Sequence, residues 1–199
     1  GLPAYRKYYE EANGKPAIIA KALAEPLVAE PGTKIEHSDV GFLLLGEIVE
    51  RVSGRPLDRF AREQIFAPLG MRDTQFNPTK SMLSRIAPTE DDRVYRHRLV
   101  HGEVHDQNAW AIGGVAGHAG LFGTAADLAA FAQMMLNGGI YAHKRILSRA
   151  GVHMLTTSVT LPGGSRTPGW DTPTSPSQAG RYFSSKSFGH LGYAGTSIW

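Results

Sequence analysis

The sequence predicts a mixed α/β (α+β) fold, in which a helical body is followed by a strand segment at its far end. Three observations carry this reading. Residues 40–52 are apolar nearly all round in their first turns and amphipathic towards their end, the pattern of a helix buried where it starts. Leu128, Phe131, Ala132 and Met135 form an apolar stripe at helical spacing. The final run, Phe188-Gly189-His190-Leu191-Gly192-Tyr193-Ala194-Gly195-Thr196-Ser197-Ile198-Trp199, is strand-like but punctuated by glycines. Glycine weakens a strand unless something must come close to its backbone, so this run reads as one wall of a cleft.

Taken in order, residues 1–36 mix short helical pieces with Pro and Gly breaks and end in Glu30-Pro31-Gly32-Thr33, a turn signal. Ser38 is a good N-cap for the helix over 40–52, and Ser53-Gly54 stops it. A second helix starts at Pro56, with Leu57, Phe60, Ala61, Gln64 and Ile65 at helical spacing, and Pro68-Leu69-Gly70 closes it. Residues 71–123 read as irregular and contain the glycine-dense segment Gly113-Gly114-Val115-Ala116-Gly117-His118-Ala119-Gly120. The third helix runs from Thr124 or Ala125 to Asn137, before the C-cap signal Gly138-Gly139, and Ser148 caps a short fourth helix reaching Thr157. Residues 161–180, rich in Pro, Gly, Ser and Thr, read as a long surface loop.

The whole, 1–199, is expected to be a single incomplete domain: a helical body over about 1–160, a loop over about 161–180 and a strand segment over about 181–199. The first residues show no initiator Met and no charged-then-apolar signal pattern, and the last is a bulky aromatic inside a strand-like run, so both ends read as cuts in a longer chain. A lone strand is not stable by itself, and most of its sheet is expected to lie outside these residues.

Composition excludes several function classes. Hydrophobic residues at 42% and charged residues at 20% are ordinary for a soluble globular protein. The net charge of +3 is small and its Lys and Arg are scattered, so no basic stripe marks a nucleic-acid partner. No apolar run approaches the roughly 20 residues that a membrane helix needs. With no cysteine there is no disulfide, thiol nucleophile or Cys-based zinc site.

Chemistry-bearing residues fall in a few places. His37-Ser38-Asp39 stands at the entrance of the buried helix, beside the positive end of its dipole. Either Ser38 or Asp39 only caps the helix, or the trio carries chemistry. His190 and Gly192 on the terminal run form a second candidate, a basic side chain next to an approachable backbone. His97, His101 and His105 recur at a spacing of four, which suits a metal on a helical face, but Gly102 and the surrounding charges oppose a helix there. No carboxylate or Cys set completes that site, and neither a metal nor an organic cofactor is expected. His118 is expected to pack or hydrogen-bond locally. The chain has no Gly-x-Ser-x-Gly, no phosphate-binding Gly-x-x-x-x-Gly-Lys, no His-Glu-x-x-His and no Ser-x-x-Lys.

In their order and spacing, Pro31-Gly32-Thr33, His37-Ser38-Asp39-Val40-Gly41-Phe42-Leu43-Leu44-Leu45-Gly46, Phe66-Ala67-Pro68-Leu69-Gly70-Met71, the segment from Gly113 through Leu121-Phe122, and Gly189-His190-Leu191-Gly192-Tyr193-Ala194-Gly195-Thr196-Ser197 make the sequence distinctive. So placed, they resemble the serine β-lactamase and penicillin-binding-protein superfamily, on its class C-like and family VIII esterase side, over almost the whole chain. The resemblance implies part of the β-lactamase/transpeptidase-like fold and a serine acyl-hydrolase with three motifs: Ser-x-x-Lys; Tyr-x-Asn or Tyr-Ser-Asp; and Lys-Thr-Gly or His-Thr-Gly on an edge strand. His37 and Asp39 take the first and third places of the second motif, with Ser38 between them. His190, Leu191 and Gly192 take the third, which makes the backbone N–H of Tyr193 an oxyanion donor. His37 would then shuttle protons, Asp39 orient its neighbours and His190 position substrate, while Ser38, Leu191 and Gly192 line it.

Three positions depart from the family pattern. His37 stands where a tyrosine is usual, and an imidazole, which ordinarily titrates near a pH of about 6.5, accepts a proton near neutrality more readily than a phenol at about 10. Leu191 replaces a threonine whose hydroxyl often contacts a substrate carboxylate, which favours an ester or other acyl substrate over a tightly held β-lactam. Ser-x-x-Lys is missing, and in the family it lies upstream of these residues, so this chain alone is expected to be nearly inert, with only about 10³–10⁴-fold over water left to an oxyanion hole without its nucleophile. The implied partner is a small acyl, ester or peptidoglycan-like molecule, and the implied compartment is periplasmic or extracellular. Two other classes stand beside the enzyme: a catalytically dead module that keeps the cleft for ligands, and a fragment that self-associates through the exposed strand edge at 196–199.

Overall fold

The computed structural model describes residues 1–174 and 178–199. Short helices α1 (Tyr8–Glu11) and α2 (Lys15–Leu23) precede α3 (Asp39–Ser53). The N-terminus of α3 is where the sequence puts it, because Ser38 is extended and its Oγ accepts the Gly41 N–H. It ends where Gly54 takes the left-handed conformation at φ 66°. The second expected helix is present as α4 (Leu57–Ala61), a π-helical turn over Arg62–Phe66 and α5 (Ala67–Leu69). Then come β1 (Gln75–Phe76), β2 (Glu90–Asp92), β3 (Arg98–Val100), α6 (Gln107–Ala111), β4 (Leu121–Phe122) and α7 (Ala125–Leu136). A tight hairpin, β5 (Ile140–Tyr141) with β6 (Lys144–Arg145), leads to α8 (Arg149–Thr156), which Ser148 caps. β1 pairs with β4 and β2 with β3, both antiparallel. Among the described residues no helix is long and apolar enough to cross a membrane.

Two apolar clusters organise these elements. In the first, Val40 and Leu43 of α3 pack with Tyr8, Ile18, Ile19 and Ala22 of α1 and α2, and with Ala109 and Ala116. In the second, Ala61, Phe66, Leu69 and Met71 pack with Met134 and Met135 of α7 and Val152 of α8. Trp170 and Phe188 lean on this second cluster, so it also supports the far end of the chain.

That far end differs from expectation in two ways. The stretch read as a surface loop over 161–180 contributes instead to a three-stranded antiparallel sheet of β7 (Val159–Leu161), β8 (Gly164–Thr167) and β9 (Trp170–Asp171). Its inward positions are polar, with Ser165, Thr167, Asp171 and Thr172 all buried, and Thr172 Oγ1 donates to the Ser165 carbonyl at 2.7 Å. A strand that buries Ser and Thr shows no apolar alternation, and composition alone then reads as loop. Part of the expected loop, residues 175–177, lies outside the described residues.

The terminal run is likewise not one strand. It folds back on itself as β10 (His190–Leu191) and β11 (Ser197–Ile198), with His190 opposite Ile198 and Leu191 opposite Ser197. Gly195, at φ 88°, makes the turn, a conformation that only glycine adopts without strain. Partners for this run therefore exist within the chain. Besides the hairpin, Asp171 N–H donates to Gly189 O at 2.7 Å and Gly189 N–H returns to Asp171 O at 3.1 Å, tying β9 to the start of β10.

One buried ion pair fixes the middle of the chain. Asp92 accepts the backbone N–H groups of Val94, Tyr95 and Arg96 and the Arg96 Nε–H at 3.0 Å, and both side chains are almost fully enclosed. Arg96 also donates to the Val104 carbonyl at 2.7 Å and to that of His105. The Tyr95 N–H above all, together with the other donors, holds the Asp92 carboxyl well below the usual carboxylate range. A depressed folded-state value stabilises the fold above the unfolded value of about 3.9, and that contribution is lost as pH falls below it. Asp92→Asn is therefore expected to lower Tm at pH 7 and to flatten the decline of Tm below about pH 4. Parallel acid limbs for variant and wild type in differential scanning fluorimetry would contradict this.

Candidate active site

The entrance of α3 places three consecutive polar residues. Ser38 acts as the cap: its Oγ accepts the Gly41 N–H at 2.9 Å and donates to the Pro3 carbonyl at 2.6 Å. With Ser38 committed there, Asp39 is free to hold His37, and His37 Nε2 lies 2.9 Å from Asp39 Oδ1. Ser38 is thus the residue that caps, while His37 and Asp39 pair with each other. A carboxylate only accepts, so the pair fixes the His37 proton on Nε2 and leaves the Nδ1 lone pair available when the ring is neutral.

The His37 ring packs near Phe42, with centroids 5.7 Å apart, and faces His190 from β10 at 5.2 Å. Residues separated by most of the chain thus meet across one cleft of about 370 Å³. One wall comes from residues 34–45, including His37, Ser38 and Phe42; the other comes from Val159, Arg166–Trp170 and His190. His190 Nδ1 donates to the Leu191 carbonyl at 2.6 Å, and its Nε2 stands 3.5 Å from Arg166 Nη1.

Other predicted site residues lie at the margin. Asp39 reaches the cleft through His37 and is not part of its lining. Leu191, Gly192 and Tyr193 also lie outside the lining. A Cβ at Gly192 would stand 2.1 Å from Thr196 Oγ1, so the Thr196 hydroxyl would have to turn aside for any larger residue there. Tyr193 sits in the hairpin turn with its side chain 95% exposed, and its ring rests 5.3 Å from that of His105. β11 pairs with β10 on one side.

The histidines spaced by four do not converge. His97 takes a left-handed φ of 53°, His101 Nε2 is bound to the Leu83 and Ile86 carbonyls at 3.0 and 2.8 Å, and His105 stands 3.6 Å from Glu90. Among the described residues, no group of three His, Asp or Glu is placed to hold a metal ion. His118 does bond locally, to Asp106 Oδ1 at 2.8 Å. Burial pulls the Asp106 carboxyl up, but the His118 bond and the N–H groups of α6 outweigh it and hold it below its usual range. Nearby, burial first and then the Asp106 charge push the Tyr5 phenol well above its usual range, so it stays protonated beside the site.

Arg166 and Trp170 are among the cleft residues that carry no sequence signal. Both fall in the stretch read as loop, and no local pattern there points to a wall.

A family model described as Beta-lactamase matches residues 1–199. The chain is 41% identical over 205 residues to a protein of Escherichia coli O157:H7 that carries the provisional name D-alanyl-D-alanine carboxypeptidase, covering 94% of this chain and 46% of that protein. It thus spans about half the length of the curated relatives it matches. Among solved structures it is similar to a penicillin-binding-protein homologue from Caulobacter crescentus, with a TM-score of 0.60, 21% identity, and coverage of 87% of this chain and 51% of that one. It is also similar to a β-lactamase from Mycobacterium bovis, with a TM-score of 0.56, 26% identity, and coverage of 87% and 54%. The arrangement of helices and strands is part of the fold that these proteins share.

Proposed function

Because the chain belongs to the β-lactamase family, we propose that it supplies the proton-transfer wall and the substrate-facing strand of a serine acyl-hydrolase acting on D-alanyl-D-alanine-type peptides. The observation that carries this is the meeting of His37, oriented by Asp39 at 2.9 Å, with His190 across one cleft at 5.2 Å. The provisional carboxypeptidase name of the 41% identical relative supports the substrate class.

In this mechanism the serine nucleophile comes from outside these residues, which contain no Ser-x-x-Lys. As its Oγ attacks the peptide carbonyl carbon, the proton passes to a basic side chain, and His37 Nδ1 is the acceptor this cleft offers. The negative charge that develops on the carbonyl oxygen is met by backbone N–H groups, and the family pattern gives Tyr193, after Gly192 at the margin of the cleft, the place of one such donor. Collapse of the tetrahedral species breaks the C–N bond and His37 returns the proton to the departing amine. Water then adds to the acyl-enzyme by the same proton path and releases the acid. Asp39 keeps the imidazole in the useful tautomer, and His190 with Leu191 and Gly192 forms the strand along which substrate lies.

The test uses the complete protein that contains these residues. Release of D-alanine from N-acetyl-D-alanyl-D-alanine and covalent labelling by a fluorescent penicillin are expected together; the loss of both would overturn the reading. The 199-residue chain by itself is expected to take up no stoichiometric label from a fluorophosphonate. Rapid labelling of it would place a nucleophile within these residues.

A further inference from the structure

A second cavity, of about 620 Å³, lies apart from the cleft, between the π-helical turn over Arg62–Phe66, α7 and the β5–β6 hairpin. Its walls are apolar, with Phe60, Ile65, Phe131, Met134, Ile146 and Leu147. Phe131 forms the partition between the two spaces, since its ring stands 6.3 Å from that of Trp170, which lines the cleft. The size is that of a site for one small organic molecule.

The rim of this cavity is one-sided in charge. Lys144 and Arg145 stand on it, and no carboxylate is among the lining residues. Arg145 Nη1 donates to the Gly138 and Leu147 carbonyls at 3.1 and 2.9 Å, which holds the guanidinium in place without neutralising it. Lys144 takes part in no ion pair among the described residues. Glu63, next in the chain to the lining residue Gln64, is committed to Arg55 and Arg59 at 3.2 and 2.8 Å. An apolar pocket under uncompensated cations suits a molecule with a hydrocarbon tail and an anionic head. The tail leaves water, while the head keeps a charge-assisted hydrogen bond at the surface.

Two irregularities of the backbone flank the same place. The π-helical turn supplies Gln64 and Ile65, and such turns are frequent at functional sites. Ala142 and His143 reverse the β5–β6 hairpin at φ 44° and 64°, a conformation that hairpins usually give to asparagine and glycine. That costly turn sets Lys144 on the rim, and backbone of this kind collects at ligand clamps.

We propose that this cavity binds a single-chain carboxylate, a medium-chain fatty acid in chemical class, with its tail among Phe60, Ile65, Phe131 and Ile146 and its head at Lys144 and Arg145. The site is separate from the acyl-hydrolase cleft, and its occupancy does not depend on turnover there.

The test is isothermal titration calorimetry of the complete protein with dodecanoate, octanoate and dodecyltrimethylammonium, each below its critical micelle concentration. Wild type is expected to take one dodecanoate, roughly tenfold or more tightly than octanoate, because four further methylenes leave water. Dodecyltrimethylammonium, with the same chain and the opposite charge, is expected to bind roughly tenfold or more weakly than dodecanoate. Lys144→Gln is expected to weaken dodecanoate by about three- to tenfold and to leave the chain-length preference in place. Gln64→Trp, which fills the cavity from its rim, is expected to remove binding. Circular dichroism verifies that each variant is folded, and if Gln64→Trp fails to fold, Lys144→Gln and the three wild-type titrations decide. Undetectable dodecanoate binding by wild type, equal affinity for the two head groups, or undiminished affinity in either folded variant overturns the proposal. Retention on phosphatidylglycerol vesicles without uptake of free dodecanoate also overturns it, since the basic rim would then meet a lipid surface and the cavity would hold no chain.

Discussion

Replacing His37 by Ala in the complete protein is expected to lower kcat for N-acetyl-D-alanyl-D-alanine by about 10²–10⁴-fold, the usual worth of a positioned general base. The fold should tolerate the change. The His37 side chain is 39% exposed, and its partner Asp39 is half-open to solvent, so no buried charge is stranded by removing the ring. The variant should therefore melt close to wild type while losing turnover. His37→Tyr sharpens the test, because a phenol accepts a proton only at higher pH than an imidazole. It is expected to restore part of the rate and to move the pH–rate profile upwards. A merely structural role would move Tm and leave the profile in place. Asp39→Asn should cost less than His37→Ala, since an amide can still accept the Nε2 proton. Full activity of His37→Ala would remove this side chain from the chemistry.

Gly117→Ala is expected to be strongly disruptive for so small a substitution. A Cβ at Gly117 would stand 2.0 Å from the Phe42 carbonyl oxygen and 2.9 Å from the Gly46 nitrogen, both backbone atoms of α3 that cannot rotate away. Gly46 answers from the other side, where a Cβ would meet the Gly117 nitrogen at 2.9 Å. The two glycines let the segment 113–120 lie directly on the helix. Overpacking here costs about 1–3 kcal/mol or more, which at roughly 2–4 °C per kcal/mol for a chain of this size is a drop of several degrees in Tm. Because α3 starts at Asp39, the shift also displaces His37 and should lower kcat beyond what stability explains. Gly41→Ala is the control: its Cβ would meet Ser38 only at 3.5 Å, and exchanging glycine for alanine inside a helix adds about 0.5–1 kcal/mol. Differential scanning fluorimetry should move the two variants in opposite directions, and a Gly117→Ala protein as stable as wild type would refute the account.

The helices were legible because their signals are local. Ser38 and Gly54 bracket α3, Ser148 opens α8, and the stripe from Leu128 to Met135 sits on α7. The π-helical turn over Arg62–Phe66 was not, since a one-residue change of hydrogen-bond partner leaves the apolar spacing nearly intact. β8 escaped notice because it buries Ser165 and Thr167, not aliphatic residues. With it went Arg166, a cleft residue with no motif around it. His37 and His190 could each be picked out, but their 5.2 Å approach is a product of tertiary packing that no pattern of spacing records. Glycines mark the terminal run, yet its reversal at Gly195 leaves no local signal, because the apolar residues on both sides continue as one stretch.

The two faces of the cleft have separate foundations. Val40 and Leu43 root the His37 side in the first apolar cluster, whereas Trp170 and Phe188, in contact at 5.5 Å, root the Arg166 and His190 side in the second. The distance across which the two imidazoles confront each other is thus a tolerance between parts with different seatings, much as the jaws of a calliper depend on the beam that joins them. Here that beam includes the Ile35 N–H, which donates to the Pro162 carbonyl at 2.8 Å and ties the His37 wall to the turn between β7 and β8. Misalignment of about 1 Å at a reacting centre costs on the order of 10²-fold in rate. In the proposed enzyme, a backbone contact that touches no substrate atom would therefore set the alignment of the groups that do.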